Sequence, residues 1–429
     1  MRRPLIFVGD IHLGRSPRRL AASGLNAAEL GPAEAWRRVV RYAESHDVQA
    51  VVLAGDVVDQ DKDRFEAFGH LERGVRRLVE AGVRVLGVAG NHDHVALPRL
   101  AERIPDFVLL GEGGAWERVE LEGVDLVGWS FPSRHHGADP LVSPGLDVAL
   151  QGRRPEALTL GVLHADLDAG KSNYAPVARK DLESRLEVAG WFLGHIHSPG
   201  RLSEARPIGY LGSLVGLDRG ETGRRGPWRV TPTSASALEI DQLPLGPAYW
   251  TRVSVDVGQV PSGEGAQDGL HQGVRAAVSR AASADEWLAQ SDVVAVGYRV
   301  VFEGETDAGG DVRDFMKDRT PADLSFEEGG RTWVMVGMED ATRPRHDLVR
   351  LGQEPGPLGR LANLVLDLRA RGSAGMPPGV GAAMDGFDPS AWPSDPESAP
   401  LPDPLEVTER AALHLLDELW TQLRAPEDR

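Results

Sequence analysis

Short apolar runs that stop at polar clusters set the rhythm of this chain. Residues 4–8, 50–54, 83–89, 158–163 and 191–193 are rich in Val and Leu and bounded by Gly, which predicts short buried strands. Between them, 32–46 and 63–81 carry apolar residues at three- and four-residue spacing, the pattern of helices with one buried stripe. The alternation over residues 1–130 predicts an α/β layer fold. Strands recurring at 119–130 and 158–215 with fewer helices predict a second sheet. The character changes near residue 251: a strand at 251–257, a helical stretch around 270–290 and a strand-rich 293–303 predict a smaller α+β appendage. Thirteen Gly and Pro between Gly372 and Pro404, without periodicity, predict a linker. A last helix is expected over 406–423, with Ala412, Leu416, Leu419, Trp420 and Leu423 on one stripe. The domain boundaries expected are 1–247, 248–371, 372–404 for the linker and 405–429 for the terminal helix.

The polar clusters carry the chemistry. They read Asp10-Ile11-His12, Gly55-Asp56-Val57-Val58-Asp59, Gly90-Asn91-His92-Asp93, a lone His164, and Gly194-His195-Ile196-His197. In open α/β sheets ligands gather beyond the carboxyl ends of strands, so five such endings place Asp, Asn and His along one sheet edge. Residues two apart in an extended segment point to the same side. Asp10 with His12, and His195 with His197, can each deliver two ligands to one pocket. Asp56 follows a glycine that permits a sharp turn, and one carboxylate between two cations can hold them roughly 3.5–4 Å apart, as two-metal catalysis requires. Asn91 supplies a neutral amide oxygen. His164 has the weakest local context and gains its meaning from the set.

The chain contains no cysteine, so disulfides and zinc–thiolate sites are excluded. No apolar run approaches the roughly 18 residues of a membrane helix, and only a handful of apolar residues follow Met1-Arg2-Arg3, too few for a signal-peptide core. A cytoplasmic protein without a membrane role is expected. The net charge of −17 is unevenly spread: residues 1–250 carry −3 and residues 251–429 carry −14. A near-neutral N-terminal part can still meet a polyanion through a local Arg patch.

The five motifs together resemble the calcineurin-like metallophosphoesterases, whose pattern is D-x-H, G-D-x-x-D, G-N-H-D/E, a lone H and G-H-x-H. The resemblance implies a two-sheet αββα sandwich with a smaller α+β capping domain, followed by the linker and helix. It implies one metal on Asp10, His12, Asp56 and His197, and a second on Asp56, Asn91, His164 and His195. His92 matches the family's catalytic histidine and Asp59 the carboxylate that orients it. The activity implied is phosphodiester hydrolysis by a dimetal-activated hydroxide. Imidazole and oxygen ligands without thiolate suit two Mn²⁺ ions best, with Fe or Zn²⁺ as alternatives.

Residues outside the motifs narrow the resemblance. Asp10-Ile11-His12-Leu13-Gly14-Arg15, His164-Ala165-Asp166-Leu167, Tyr174-Ala175-Pro176, Trp191 to His197, and Tyr210-Leu211-Gly212-Ser213 continuing to Gly216-Leu217-Asp218-Arg219-Gly220-Glu221 are similar to the DNA repair exonucleases, the SbcD-like nuclease subunits. That subgroup implies DNA as substrate, an SbcC-like coiled-coil ATPase as partner on the C-terminal helix, and a homodimer. Arg15, Arg18, Arg19, Arg134, Arg179, Arg219, Arg224 and Arg225 are candidate phosphate contacts. The same dimetal motifs also serve phosphodiesterases and phosphatases of small molecules or nucleotides, the competing reading. The apolar stripe of the last helix fits docking on a partner and folding back on the chain equally well.

Overall fold

The computed structural model describes residues 2–21, 24–202, 206–234, 237–377, 379 and 403–424. In chain order the first strands are β1 (Leu5–Val8), β2 (Ala50–Ala54), β3 (Arg84–Val88), β4 (Phe107–Leu109), β5 (Trp116–Leu121), β6 (Val124–Trp129) and β7 (Leu158–His164). There follow β8 (Asp166–Leu167), β9 (Pro176–Val177), β10 (Gly190–Gly194), β11 (Ile208–Tyr210), β12 (Trp228–Pro232) and β13 (Leu238–Gln242). Six of them form a sheet in the order β13-β12-β1-β2-β3-β4, and five a second sheet in the order β11-β10-β7-β6-β5. Strands β1 to β4 run parallel, as do β6, β7, β10 and β11.

Alternation along each strand builds four layers. Leu5 and Phe7 of β1, with Val52, Leu86 and Val88, face Leu126, Leu160, Val162 and Phe192 of the second sheet. The rings of Phe7 and Phe192 stack across the two sheets at 4.2 Å. Ile6 and Val8 point the other way, to Trp36, Val39, Leu71 and Val75 on the helices Pro32–Ser45 and Arg64–Glu80. On the far side, Val127, Trp129, Leu163 and Trp191 pack with Leu146, Leu150 and Leu182 of the helices Pro144–Gln151 and Arg179–Ser184. Because both faces of these strands are covered, they read in sequence as unbroken apolar runs. The result is the αββα sandwich.

The chain divides into two compact units: residues 1–253, 274–300 and 319–338, and residues 254–273, 301–318 and 339–429. The strands β14 (Ala248–Asp256), β15 (Ala295–Thr306), β16 (Phe326–Glu328) and β17 (Arg331–Pro344) form a sheet in the order β14-β15-β17-β16. Within the second unit the helices Pro357–Arg371 and Pro404–Arg424 pack through Leu358, Ala362, Val365, Ala412, Leu413 and Leu416, with Leu419 and Trp420 against them. The stripe of the last helix is thus used inside its own unit. Leu423, expected on it, is 69% exposed. Most of the linker expected at 372–404 lies outside the described residues.

Candidate metal centre

Parallel pairing brings the carboxyl ends of β1, β2, β3, β7 and β10 to one edge, and the motifs are the turns that leave them. The turns are laced by main-chain hydrogen bonds: His12 N–H to Asp56 O at 2.9 Å, Leu13 N–H to Val57 O at 2.8 Å and Asp59 N–H to Leu13 O at 3.1 Å. In the second sheet, Gly194 pairs with His164 across β10 and β7. Asp10, His12, Asp56 and His195 take φ values of 37°, 54°, 49° and 105°, a region that residues with a side chain rarely occupy. Such strain concentrates at functional sites, where surrounding structure enforces it. A Cβ on Gly90 would lie 2.2 Å from Asp56 Oδ1, and one on Gly55, at φ 88°, would lie 2.6 Å from His164 Nδ1. Glycine at both positions lets the turns close around the centre.

The side chains converge as three overlapping sets of ligand atoms: Asp10, His12 and His197; His12, Asp56 and His92; and Asp10, Asp56 and His164. His12 Nε2 and His197 Nε2 are 2.9 Å apart. His164 Nε2 is 3.0 Å from Asn91 Oδ1 and 3.5 Å from Asp56 Oδ2. The His195 ring stands beside that of His164, with centroids 5.2 Å apart, and the His195 backbone N–H donates to the Asp10 carboxylate at 3.0 Å. The His92 N–H donates to Asp56 Oδ1 at 3.0 Å.

Protonation decides what this cluster wants. Burial holds His12, His164 and His195 below the ordinary imidazole range, His164 at about 4, so these rings are neutral at pH 7. His164 Nδ1 meets the Ala54 carbonyl at 3.1 Å, a pure acceptor that keeps the proton on Nδ1. His197 Nδ1 faces the Glu221 carboxylate at 2.7 Å, and His12 Nδ1 lies 3.1 Å from Asp59 Oδ1. His164 Nε2 therefore presents its lone pair to the oxygens of Asn91 and Asp56, while His12 Nε2 and His197 Nε2 face each other at 2.9 Å. Lone pairs facing each other at this range are reconciled by a cation. Burial, with Asp56 and Asp93 nearby, also pushes the Asp10 carboxyl well above its usual range, a penalty that bound cations offset. The residues present fit divalent metal ions.

Four placements go beyond the motifs as read in sequence. Asp59 reaches His92 through its backbone: His92 Nδ1 is 2.8 Å from the Asp59 carbonyl, while the Asp59 carboxylate faces His12, with Arg15 Nε at 3.8 Å and Gln60 Nε2 at 3.2 Å. Those partners draw the carboxylate away from His92, so its expected contact with that ring is replaced by the carbonyl. Asp93, fourth in its motif, is fully buried and accepts from the N–H groups of Val57 at 2.7 Å, Val58 at 3.2 Å and Gly90 at 2.7 Å. It bolts two motif turns together, and burial beside Asp56 pushes it up to about 7. Glu221, 24 residues beyond His197, ends the segment Gly216-Leu217-Asp218-Arg219-Gly220-Glu221, whose likeness to the SbcD-like subunits assigned it no role at the metal centre. Arg225, expected as a phosphate contact, is buried and donates to the His197 carbonyl.

Residues 3–199 match the family described as Calcineurin-like phosphoesterase, and this part of the chain is a calcineurin-like metallophosphoesterase domain. That family is dimetal-dependent, and the Asp and His cluster at the strand ends is a plausible place for such ions. The chain is 28% identical over 345 residues to the DNA double-strand break repair protein Mre11 of Aeropyrum pernix, across 71% of this chain and 78% of that one. It is 27% identical over 231 residues to the uncharacterized metallophosphoesterase YhaO of Bacillus subtilis, across 52% of this chain and 54% of that one, about half its length. Among solved structures, a dimetal phosphatase from Danio rerio covers 56% of this chain and 98% of its own, with 16% identity and a TM-score of 0.36. Among the described residues no helix is long and apolar enough to cross a membrane.

Proposed function

We propose that this protein is a DNA nuclease of the SbcD-like type, cutting phosphodiester bonds at the cluster around Asp10, His12, Asp56, Asn91, His164, His195 and His197. The observation that carries the reading is the cleft beside His92. It is about 760 Å³ and is lined by Arg15, Arg18, Arg19 and Lys62 together with Asp59, Gln60, Asp63, Leu217 and Asp218. Four cations along an open, polar cleft suit a phosphate backbone better than a small organic molecule, which favours an enclosed apolar pocket. The likeness to an Mre11 protein supports the same substrate class.

Bound divalent cations, Mn²⁺ by preference, supply Lewis-acid charge at the scissile phosphoryl group and lower the pKa of water. The chain's own groups do the rest. Asp10, His12, Asp56 and His197 would hold one cation, and Asp56, Asn91, His164 and His195 would hold the other. His92 has its Nδ1 proton committed to the Asp59 carbonyl, so Nε2 is the atom that gains and loses a proton. With its side chain 36% exposed at the cleft, protonated Nε2 donates to the departing alkoxide. An SbcC-like ATPase is the proposed partner. Since the last helix spends its main stripe on the helix Pro357–Arg371, the two-helix assembly, rather than a free helix, is the docking element.

The test is degradation of an end-labelled linear duplex with Mn²⁺, alongside hydrolysis of bis-p-nitrophenyl phosphate. Cleavage abolished by EDTA, and lowered at least about 100-fold in His92→Gln with Mn²⁺ binding retained, is the expected result. Hydrolysis of the small diester with intact DNA, unchanged by an SbcC-like ATPase, would transfer the assignment to a small-molecule phosphodiesterase.

A further inference from the structure

Glu221 is outside every ligand set, yet its carboxylate comes closer to the His197 ring than the neighbouring His12 imidazole does. Its Oε1 lies 2.7 Å from His197 Nδ1, and its Oε2 accepts the Leu217 N–H at 2.8 Å. Its own N–H bonds to the Asp218 carbonyl at 3.0 Å, closing the 218–221 turn. The backbone of His197 is already anchored: its carbonyl accepts from the Ser213 N–H at 2.9 Å and from Arg225. What that anchoring leaves undetermined is the rotation of the imidazole and the nitrogen that carries its proton. Glu221, with its side chain 16% exposed, settles both.

We propose that Glu221 is a positioning residue for the cation held by His12 and His197. Its carboxylate keeps the His197 proton on Nδ1, turns Nε2 toward His12 Nε2 and makes the ring a stronger electron-pair donor. The second carboxylate oxygen extends the connection, because Leu217 and Asp218 line the basic cleft. One turn thereby ties the wall of the cleft to a metal-ligand imidazole. This rests on the reading that the cluster binds two divalent cations, and it is independent of whether DNA is the substrate.

The experiment is Mn²⁺ titration calorimetry on the full-length protein, with Glu221→Ala and Glu221→Gln compared with the wild type and each checked by thermal melting. In Glu221→Ala one of two Mn²⁺ binding steps weakens by about 10- to 100-fold and the other stays put. Glu221→Gln recovers part of the loss, since its amide oxygen accepts the Nδ1 proton without the charge. The ¹⁵N shifts of the His197 ring report Nδ1–H in the wild type and a tautomer mixture in Glu221→Ala. Under Mn²⁺ excess, turnover of the alanine variant returns toward wild type, as expected when the residue acts through the metal. Two unchanged Mn²⁺ steps in a folded Glu221→Ala protein would overturn the proposal, as would equal weakening of both. A wild type that binds Mn²⁺ in two steps but cuts no DNA would remove the nuclease assignment and leave Glu221 to be judged by the calorimetry.

Discussion

Asp10, His12, Asp56 and His195 sit at positive φ, each at a cost of order 1–3 kcal/mol, and the glycines beside them leave no room for a methyl group. Gly90→Ala would set a Cβ against the Asp56 carboxylate. The expected outcome is loss of Mn²⁺ binding in calorimetry with the far-ultraviolet spectrum preserved; unaltered binding would mean that the turn can relax. Titration gives a second residue-scale prediction. His164 is held at about 4 against an ordinary 6.5, so the unfolded chain takes up a proton that the native metal-free protein refuses. The stability at stake is complete above pH 6.5 and lost as pH falls toward 4. Asp93, raised to about 7, acts with the opposite sign: its contribution is present at low pH and lost as pH rises toward 7. Comparing wild type with His164→Gln in EDTA separates the two. The wild type's advantage in urea midpoint should shrink between pH 7 and pH 4.5, and a constant difference would contradict the assignment of a neutral, buried His164.

At the scale of elements, strands and helices were legible because each has a periodic pattern that burial on one or two faces imposes. The run at 32–46 is the helix Pro32–Ser45, and 63–81 contains Arg64–Glu80. The apolar run at 191–193 lies within β10, where Phe192 packs between the sheets. Phe192→Ala should cost about 3–5 kcal/mol, read from urea unfolding, because the cavity opens against Phe7 rather than toward solvent. The terminal helix shows where pattern stops informing. Its stripe announced an apolar partner without naming one, and the partner is the helix Pro357–Arg371 of the same unit. Leu416, fully buried there, makes the consequence testable: Leu416→Asp places an unpaired charge in that core and should lower protection from proteolysis in residues 357–371. Unchanged protection would show that the two helices are held together by other contacts.

For the molecule as a whole, charge is segregated along the chain, with −3 over residues 1–250 and −14 over residues 251–429. Arg18, Arg19 and Lys62 nonetheless line one cleft beside His92. If that cleft carries duplex DNA, each phosphate contact contributes about 0.9 to the slope of log affinity against log salt. Combining Arg18→Ala with Lys62→Ala should lower that slope by about 2 and weaken duplex binding, measured by fluorescence anisotropy across a salt series. A slope indistinguishable from wild type would place the nucleic acid elsewhere.

What the sequence by itself determined is local: apolar runs that fold as strands, helical periods, and five polar motifs whose residues suit cations. Each is written within a few consecutive positions, where backbone geometry alone dictates which side chains share a face. Tertiary structure decided everything that depends on meeting across a long separation. It set His12 against His197, turned the Asp59 carboxylate to His12 and its carbonyl to His92, buried Asp93 between two turns, and brought Glu221 behind His197. Those outcomes follow from parallel strands ending at a common edge, and no neighbouring residue encodes them. A lone carboxylate in a loop reads the same whether it meets solvent or an imidazole, and the sheet packing that separates the two cases is a property of the whole chain.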